Sequence, residues 1–258
     1  MGVLTPISLQ EVQKLFPSFN ITSLTPTESG IMDTTYITDK YVLKKYERDI
    51  NADADSKRLN LLSCSSLNVP ICVAQNREWF LYTRLQGFEP KTIQTYHIQA
   101  LARFLAKFHT QTQGMKCDFR LTDSYDFTKI LDFTKSNYYV YYKKLQSLQN
   151  YKPKNDGFIH GDIFKDNTVF ARDKIGVFDF IDGGCGEFVF DIAVALVAFD
   201  AKKHSHYFIN LFLNTYNQNA PKKIKKQELI KTMKIASAFY ALLRIEKYKN
   251  TKKAKELL

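Results

Sequence analysis

Three polar residues stand at a spacing that suits metal-assisted phosphoryl transfer. Asp162 and Asn167 lie five positions apart in the segment His160-Gly161-Asp162-Ile163-Phe164-Lys165-Asp166-Asn167, and Asp179 ends the apolar run Gly176-Val177-Phe178. Such a transfer asks little covalent work of a protein. It needs a carboxylate to orient and deprotonate the acceptor hydroxyl, and hard oxygen ligands to hold Mg²⁺ against the phosphates. Asp162 supplies a base, Asn167 one metal ligand and Asp179 a second, since Mg²⁺ keeps several waters and shares the phosphate oxygens. Singly, each residue is also an ordinary turn or cap residue. The set at this spacing carries the weight. His160 reads as a loop-packing residue that supports the site.

The elements that must position this set follow from periodicity. Ser8–Phe16 reads as a helix capped by Ser8, and Thr34–Thr38 with Tyr41–Tyr46 as a hairpin around Asp39-Lys40. Asp53–Ser66 reads as a helix, and Val69–Val73 with Trp79–Thr83 as a second strand pair around Gln75-Asn76-Arg77. Beyond Gly87 the pattern is helical: Leu101, Phe104, Leu105 and Phe108 share one face of a helix ending near His109. Thr128–Leu148 reads as one Tyr-rich helix, and Asp191–Phe199, Tyr207–Tyr216 and Gln227–Lys249 as three more. Short strands at Phe158–Ile159, Thr168–Phe170 and Ile175–Phe180 flank the polar loop. The expected class is α+β: a β-rich N-terminal lobe over 1–86, a helical lobe over 87–258, and a cleft between them.

Composition excludes several alternatives. The chain has 258 residues, is 45% hydrophobic and carries 37 basic against 26 acidic residues, net +11. Residues 222–258 hold twelve basic and three acidic residues, net +9, so the remainder is nearly neutral at 25 against 23. The basic end reads as a solvated helix face, because Ile235, Phe239, Leu242 and Leu243 form an apolar stripe on it. A nucleotide- or nucleic-acid-binding protein using that end is the rival from another class; aromatics interleaved with basic residues, as a phosphate-tracking groove uses, are not its pattern. Residues 1–20 carry no basic n-region or long apolar run, so no signal peptide is expected. The longest strongly apolar run, Ile192–Phe199, is too short to cross a bilayer. Cys64, Cys72, Cys117 and Cys185 form no CxxC pair and no metal spacing, and read as reduced thiols of a cytoplasmic protein.

The pattern HGDxxxxN, followed by an Asp in an apolar strand, resembles the aminoglycoside phosphotransferase and choline kinase superfamily, small-molecule kinases of protein-kinase-like fold. The layout is most similar to its homoserine kinase branch. The matching segments are Val42-Leu43-Lys44-Lys45-Tyr46, Leu67-Asn68-Val69-Pro70, Trp79–Gly87, Leu101–His109 and His160–Phe180. The resemblance covers about residues 5–200. It implies two lobes with an ATP cleft between them, ATP and Mg as cofactors, and a small hydroxyl compound as acceptor. Asp162 would be the catalytic base, and Asn167 and Asp179 the metal ligands. Lys44 would touch the α/β-phosphates, Val42 would line the adenine pocket, Ser29 and Gly30 would cover the phosphates, and backbone groups from Thr83 to Leu85 would meet the adenine edge. Asp191 would hold the catalytic loop. Lys45 competes with Lys44, but Val42 and Lys44 share a strand face.

Two departures stand out. Protein-kinase-like folds pair the strand lysine with a helix Glu. No Glu lies between Arg48 and Arg77; the acids there are Asp49, Asp53 and Asp55. After Asp179 the glycines of Ile181-Asp182-Gly183-Gly184-Cys185-Gly186-Glu187 suggest a flexible loop at the substrate mouth. Homoserine is the expected acceptor, with choline, ethanolamine or an aminoglycoside as alternatives. All carry a cationic nitrogen, which Asp182 or Glu187 would pair with.

Overall fold

A computed structural model describes residues 3–27, 32–117, 127–146, 148, 151, 153–199, 205–249 and 251–257. The chain clusters into two units, Met1–Gly87 with Gly176–Ile181, and Phe88–Ile175 with Asp182–Leu258. The first is sheet-rich and the second mainly helical, a mixed α+β architecture.

The first unit opens with α1 (Leu9–Leu15), capped as its sequence implies: Ser8 accepts from the Glu11 N–H, and Glu11 reaches back to the Ser8 N–H. A five-stranded antiparallel sheet follows, in the order β1-β2-β3-β5-β4, from β1 (Thr25–Pro26), β2 (Asp33–Ile37), β3 (Tyr41–Tyr46), β4 (Cys72–Asn76) and β5 (Trp79–Thr83). Tyr36, Leu43 and Leu81 face one another across three strands and pack with Val12, Phe16, Ile21 and Trp79 into a core. The strand period of two sends their neighbours to the other face. Val42, Lys44 and Tyr46 therefore share a face with Asp33 and Thr35 on β2 and with Phe80 and Tyr82 on β5. Helix α2 (Ala52–Cys64) sends Ser56 to Tyr82 on that face, hydroxyl to hydroxyl at 3.0 Å. The second strand pair starts later than its sequence suggests: β4 begins at Cys72, and the turn falls at Arg77, whose φ is +55°.

The second unit is built around α6 (Phe188–Ala198), in which every residue from Phe188 to Leu196 is buried. A helix apolar on all sides belongs in a core. Helices α3 (Thr95–Thr112), α7 (Ser205–Asn219) and α8 (Lys226–Tyr248) belong to the same unit, α3 packing with α7 and α6 with α8. The Tyr-rich stretch is two helices, α4 (Phe127–Asn137) and α5 (Tyr139–Leu145), broken at Tyr138. Tyr139 and Val140 are exposed there. A final helix, α9, spans Thr251–Leu257. Along α8 Phe239, Leu242 and Leu243 of the apolar stripe are buried and Ile235 is half-buried, while Lys231 and Lys234, with Lys225 just before the helix, are exposed, so the basic excess lies partly on a solvated face.

Two short ladders carry the polar loop. Strand β6 (Gly157–Ile159) pairs with β9 (Gly184–Gly186), and β7 (Thr168–Ala171) pairs with β8 (Lys174–Val177). In the glycine-rich segment after Asp179 a turn at Ile181-Asp182, with Asp182 exposed, therefore leads into a buried strand, Gly184–Gly186, in place of the expected flexible loop. A Cβ at Gly186 would meet the Ile159 side chain at 2.4 Å, so glycine serves close packing there.

The cysteine reading is corrected as well. Cys117 and Cys185 form a disulfide, while Cys64 and Cys72 are free. Gln113 bridges to Gly157, and Gly114 donates to the Asp156 carbonyl, so the chain leaving α3 runs beside β6. Cys185 faces Phe158 on the paired strand, and the Cα atoms of Cys117 and Cys185 lie 5.6 Å apart. Cysteines 68 positions apart give no local spacing signal.

Candidate active site

In the first unit the chemistry gathers on Lys44. Its Nζ lies 2.6 Å from Asp179 Oδ1, 3.4 Å from Asp33 Oδ2 and 4.6 Å from the centre of the Tyr46 ring. Burial alone would depress the ammonium, but the Asp179 and Asp33 carboxylates more than offset it and hold Lys44 above its ordinary value. Lys45, on the opposite face, pairs with Glu78 at 3.0 Å and Glu47 at 3.7 Å. Asp179 carries a backbone φ of +67°, the left-handed region that few residues other than glycine occupy. Val42, half-buried, lies on the Lys44 face opposite Ile37 and Tyr82. Thr83 donates its N–H to the Ile71 carbonyl, and its hydroxyl accepts from the Ile71 N–H; Leu85 follows, half-buried. Ser29 and Gly30 lie outside the described residues.

In the second unit the polar loop follows β6. Gly161 has a φ of +74°, a conformation that glycine adopts without steric cost, which accounts for a glycine before Asp162. Asn167 ends a short 3₁₀ turn, Lys165–Asn167, and donates its Nδ2 to the Asp162 carbonyl at 2.8 Å and to Asp162 Oδ2 at 3.1 Å. The His160 ring accepts from the Asp162 N–H at Nδ1, 3.2 Å away, so it is a loop brace.

The loop is anchored from α6. Asp191, fully buried, accepts from the His160 N–H at 3.2 Å and the Gly161 N–H at 2.8 Å. His109 on α3 donates from Nε2 to the same carboxylate at 3.1 Å, and its Nδ1 lies 2.8 Å from the Tyr216 hydroxyl. Burial would raise the Asp191 carboxyl, but the bonds from His109 and Gly161 hold it below its ordinary value. Burial keeps His109 low and neutral. The buried carboxylate is offset by the N–H donors of His109, His160 and Gly161, as burial of a charge demands. Tyr240 on α8 donates to the Gly161 carbonyl and packs edge-on against Phe164, ring centres 5.0 Å apart.

His109, Tyr240 and Asp33 are site residues that a sequence reading passes over. His109 ends a helix face that looks purely structural, Tyr240 sits in a basic helix, and Asp33 lies on a strand before the lysine. The parity of the β2–β3 hairpin was the one available signal for Asp33. Asp182 is exposed, and Glu187 is half-buried and accepts from the Tyr151 hydroxyl at 3.0 Å. Among the described residues no cluster of three or more His, Cys, Asp or Glu could hold a metal ion. The donors available, the Asp179 carboxylate and the Asn167 amide oxygen, are hard oxygens of the kind Mg²⁺ takes in small numbers.

A sheet-rich first part, a helical second part and a braced His-Gly-Asp loop define the protein-kinase-like class. Comparison of folds agrees. The structure superposes on the streptomycin–ATP complex of an aminoglycoside phosphotransferase, APH(2″)-IIa, with a TM-score of 0.66 at 18% identity, covering 98% of this chain and 96% of the other. It superposes on an amicoumacin kinase bound to AMP-PNP and Ca²⁺ with a TM-score of 0.67 at 16% identity, covering 92% and 85%.

The profile of the "Phosphotransferase enzyme family" matches residues 23–216, and the chain belongs to that family. Relatives include homoserine kinases of Janthinobacterium sp. (strain Marseille), 23% identical over 76% of this chain and 71% of the relative, and of Sinorhizobium fredii, 24% identical over 81% and 74%. A third, from Polaromonas naphthalenivorans, is 26% identical over 39% of this chain and only 33% of its own length. No described helix is long and apolar enough to cross a membrane.

Proposed function

We propose that this protein is an ATP- and Mg²⁺-dependent small-molecule kinase whose acceptor is the hydroxyl group of homoserine. The observation that carries the kinase reading is the Asp162–Asn167 pair, held in a loop whose backbone N–H groups are tied to a buried carboxylate. The homoserine reading is supported by relatives of that name along three quarters of the chain.

In this reading Asp162 accepts the hydroxyl proton, and the Asn167 amide fixes the rotamer from which it does so. Asn167 and Asp179 hold Mg²⁺, and Lys44 contacts the phosphates. Magnesium, when bound, neutralises charge on the phosphate oxygens. Asp191 does no chemistry: it fixes the backbone from which Asp162 projects, so that the base is placed before the acceptor arrives. Val42 lines the adenine pocket, backbone groups at Thr83 and Leu85 meet its edge, and Ser29 and Gly30 cover the phosphates. Asp182 or Glu187 pairs with the acceptor's ammonium. We place the reaction in the cytoplasm, where ATP is supplied.

The test is a panel of homoserine, choline, ethanolamine and aminoglycosides with ATP and Mg²⁺, scored by ADP release. Homoserine is expected to give the highest kcat/KM. A higher value for an aminoglycoside would replace homoserine without touching the kinase reading; no acceptor-dependent release at all would count against both.

A further inference from the structure

Resting on the reading of Lys44 as the phosphate-contacting lysine, we infer that Asp33 on β2 is its positioning residue, in the role a helix carboxylate fills in protein-kinase-like folds. The register pairs Asp33 with Tyr46 and Thr35 with Lys44, so Asp33 and Lys44 are diagonal neighbours on one sheet face, within reach of a long side chain. Asp33 is 8% exposed, and Oδ2 lies 3.4 Å from Lys44 Nζ. The rest of the carboxylate is anchored. Arg48 Nη2 donates to Oδ2 at 3.3 Å, Arg48 Nε to Oδ1 at 3.5 Å, and the Glu47 N–H to Oδ1 at 3.3 Å.

Asp179 pairs more closely with Lys44 but is 36% exposed, and metal binding gives it a second task. Asp33 has no such task. It keeps the ammonium aimed when Asp179 turns to a cation.

Helix α2 does not provide the partner. Its buried Asp55 bonds Arg58 at 3.2 Å, and Lys44 forms its ion pairs with Asp33 and Asp179. The hydroxyls of Ser56, Tyr82 and Tyr46, each 3.0 Å from the next, run instead from α2 to the ring beside Lys44. The carboxylate has moved from the helix to the neighbouring strand, which accounts for the absence of a helix Glu.

The experiment measures ATP and acceptor kinetics for Asp33→Asn, Asp33→Glu, Asp55→Asn, Lys44→Met and the double variant Lys44→Met/Asp33→Asn, each checked by thermal melting. Asp33→Asn is expected to raise the KM for ATP about tenfold or more, the size of a coupled charge pair. The acceptor KM should stay within about twofold, and Asp33→Glu should recover most of the loss. In the Lys44→Met background the same substitution should add almost nothing. Asp55→Asn should leave the ATP KM unchanged. Wild-type ATP kinetics in Asp33→Asn, or the ATP defect appearing in Asp55→Asn instead, would overturn the assignment of Asp33 and leave that of Lys44 standing. A Lys44→Met enzyme with full activity would overturn both. If Asp33→Asn does not fold, Arg48→Gln, which loosens the Asp33 anchor, is read in its place: a raised ATP KM supports the assignment, and an unchanged one rejects it.

Discussion

Lys44 Nζ sits 2.6 Å from Asp179 Oδ1, a bond between residues 135 positions apart in the chain. Gly176–Ile181 joins the N-terminal unit, so the two charges meet within one unit. Lys44→Met and Asp179→Asn are each expected to lower kcat/KM about 10²–10³-fold, the usual loss when one charge-stabilising group is removed. Lys45→Met, altered on the opposite face, should stay within about twofold. ADP-release kinetics on the three variants check this, and a severe defect in the Lys45 variant alone would reject the face assignment.

The Asp162–Asn167 bond separates chemistry from folding. Asp162→Asn keeps a side chain of the same shape and removes the base. The expected result is a fall in kcat of about 10²–10⁴-fold, the range for a lost general base. The melting temperature should move by no more than a few degrees. Full ATP-dependent turnover in this variant would sink the mechanism.

The His109–Asp191 pair makes stability depend on acid. His109 is buried with its value depressed, so it stays neutral in the folded chain while the unfolded chain takes up a proton below about pH 6.5. Asp191 is also depressed, and its contribution is present above the ordinary carboxylate value of 3.8 and lost as pH falls through its folded value. Both groups bind more protons when unfolded, so stability must rise with pH. Thermal melts should fall from pH 7 to pH 5 by up to about 1.4 kcal/mol per pH unit for the histidine. A His109→Gln variant should flatten that slope, and an unchanged slope would remove His109 as its source. Asp191→Ala, which leaves His109 and two backbone N–H groups without their acceptor, is expected to cost about 1–3 kcal/mol for each buried donor left unsatisfied.

Cys117–Cys185 closes a long loop, and opening it should lower stability by about 2–4 kcal/mol. Protein purified without reductant should titrate two thiols in denaturant, Cys64 and Cys72, and four after dithiothreitol. The double variant Cys117→Ser, Cys185→Ser should melt near the reduced protein. Four thiols before reduction would show that the bond does not form under those conditions.

What the chain's order of residues determined by itself was local. The Ser8 capping box, the β2–β3 hairpin with Lys44 on a definite face and the five-residue interval between Asp162 and Asn167 all depend on backbone period and neighbours within a few positions. What tertiary structure alone decided were pairings across long stretches: Lys44 with Asp179, His109 with Asp191 82 positions away, and Cys117 with Cys185. The break of the Tyr-rich helix at Tyr138 and the strand at Gly184–Gly186 belong with them. Helical periodicity continues across Tyr138 and gives no warning of the break. Glycine suits a mobile loop and a tightly packed strand equally, until a partner such as Ile159 stands against it. Even the partner of Lys44 was of this kind. A carboxylate on a helix and one on the next strand are both near in sequence, and only the packed sheet face selects between them.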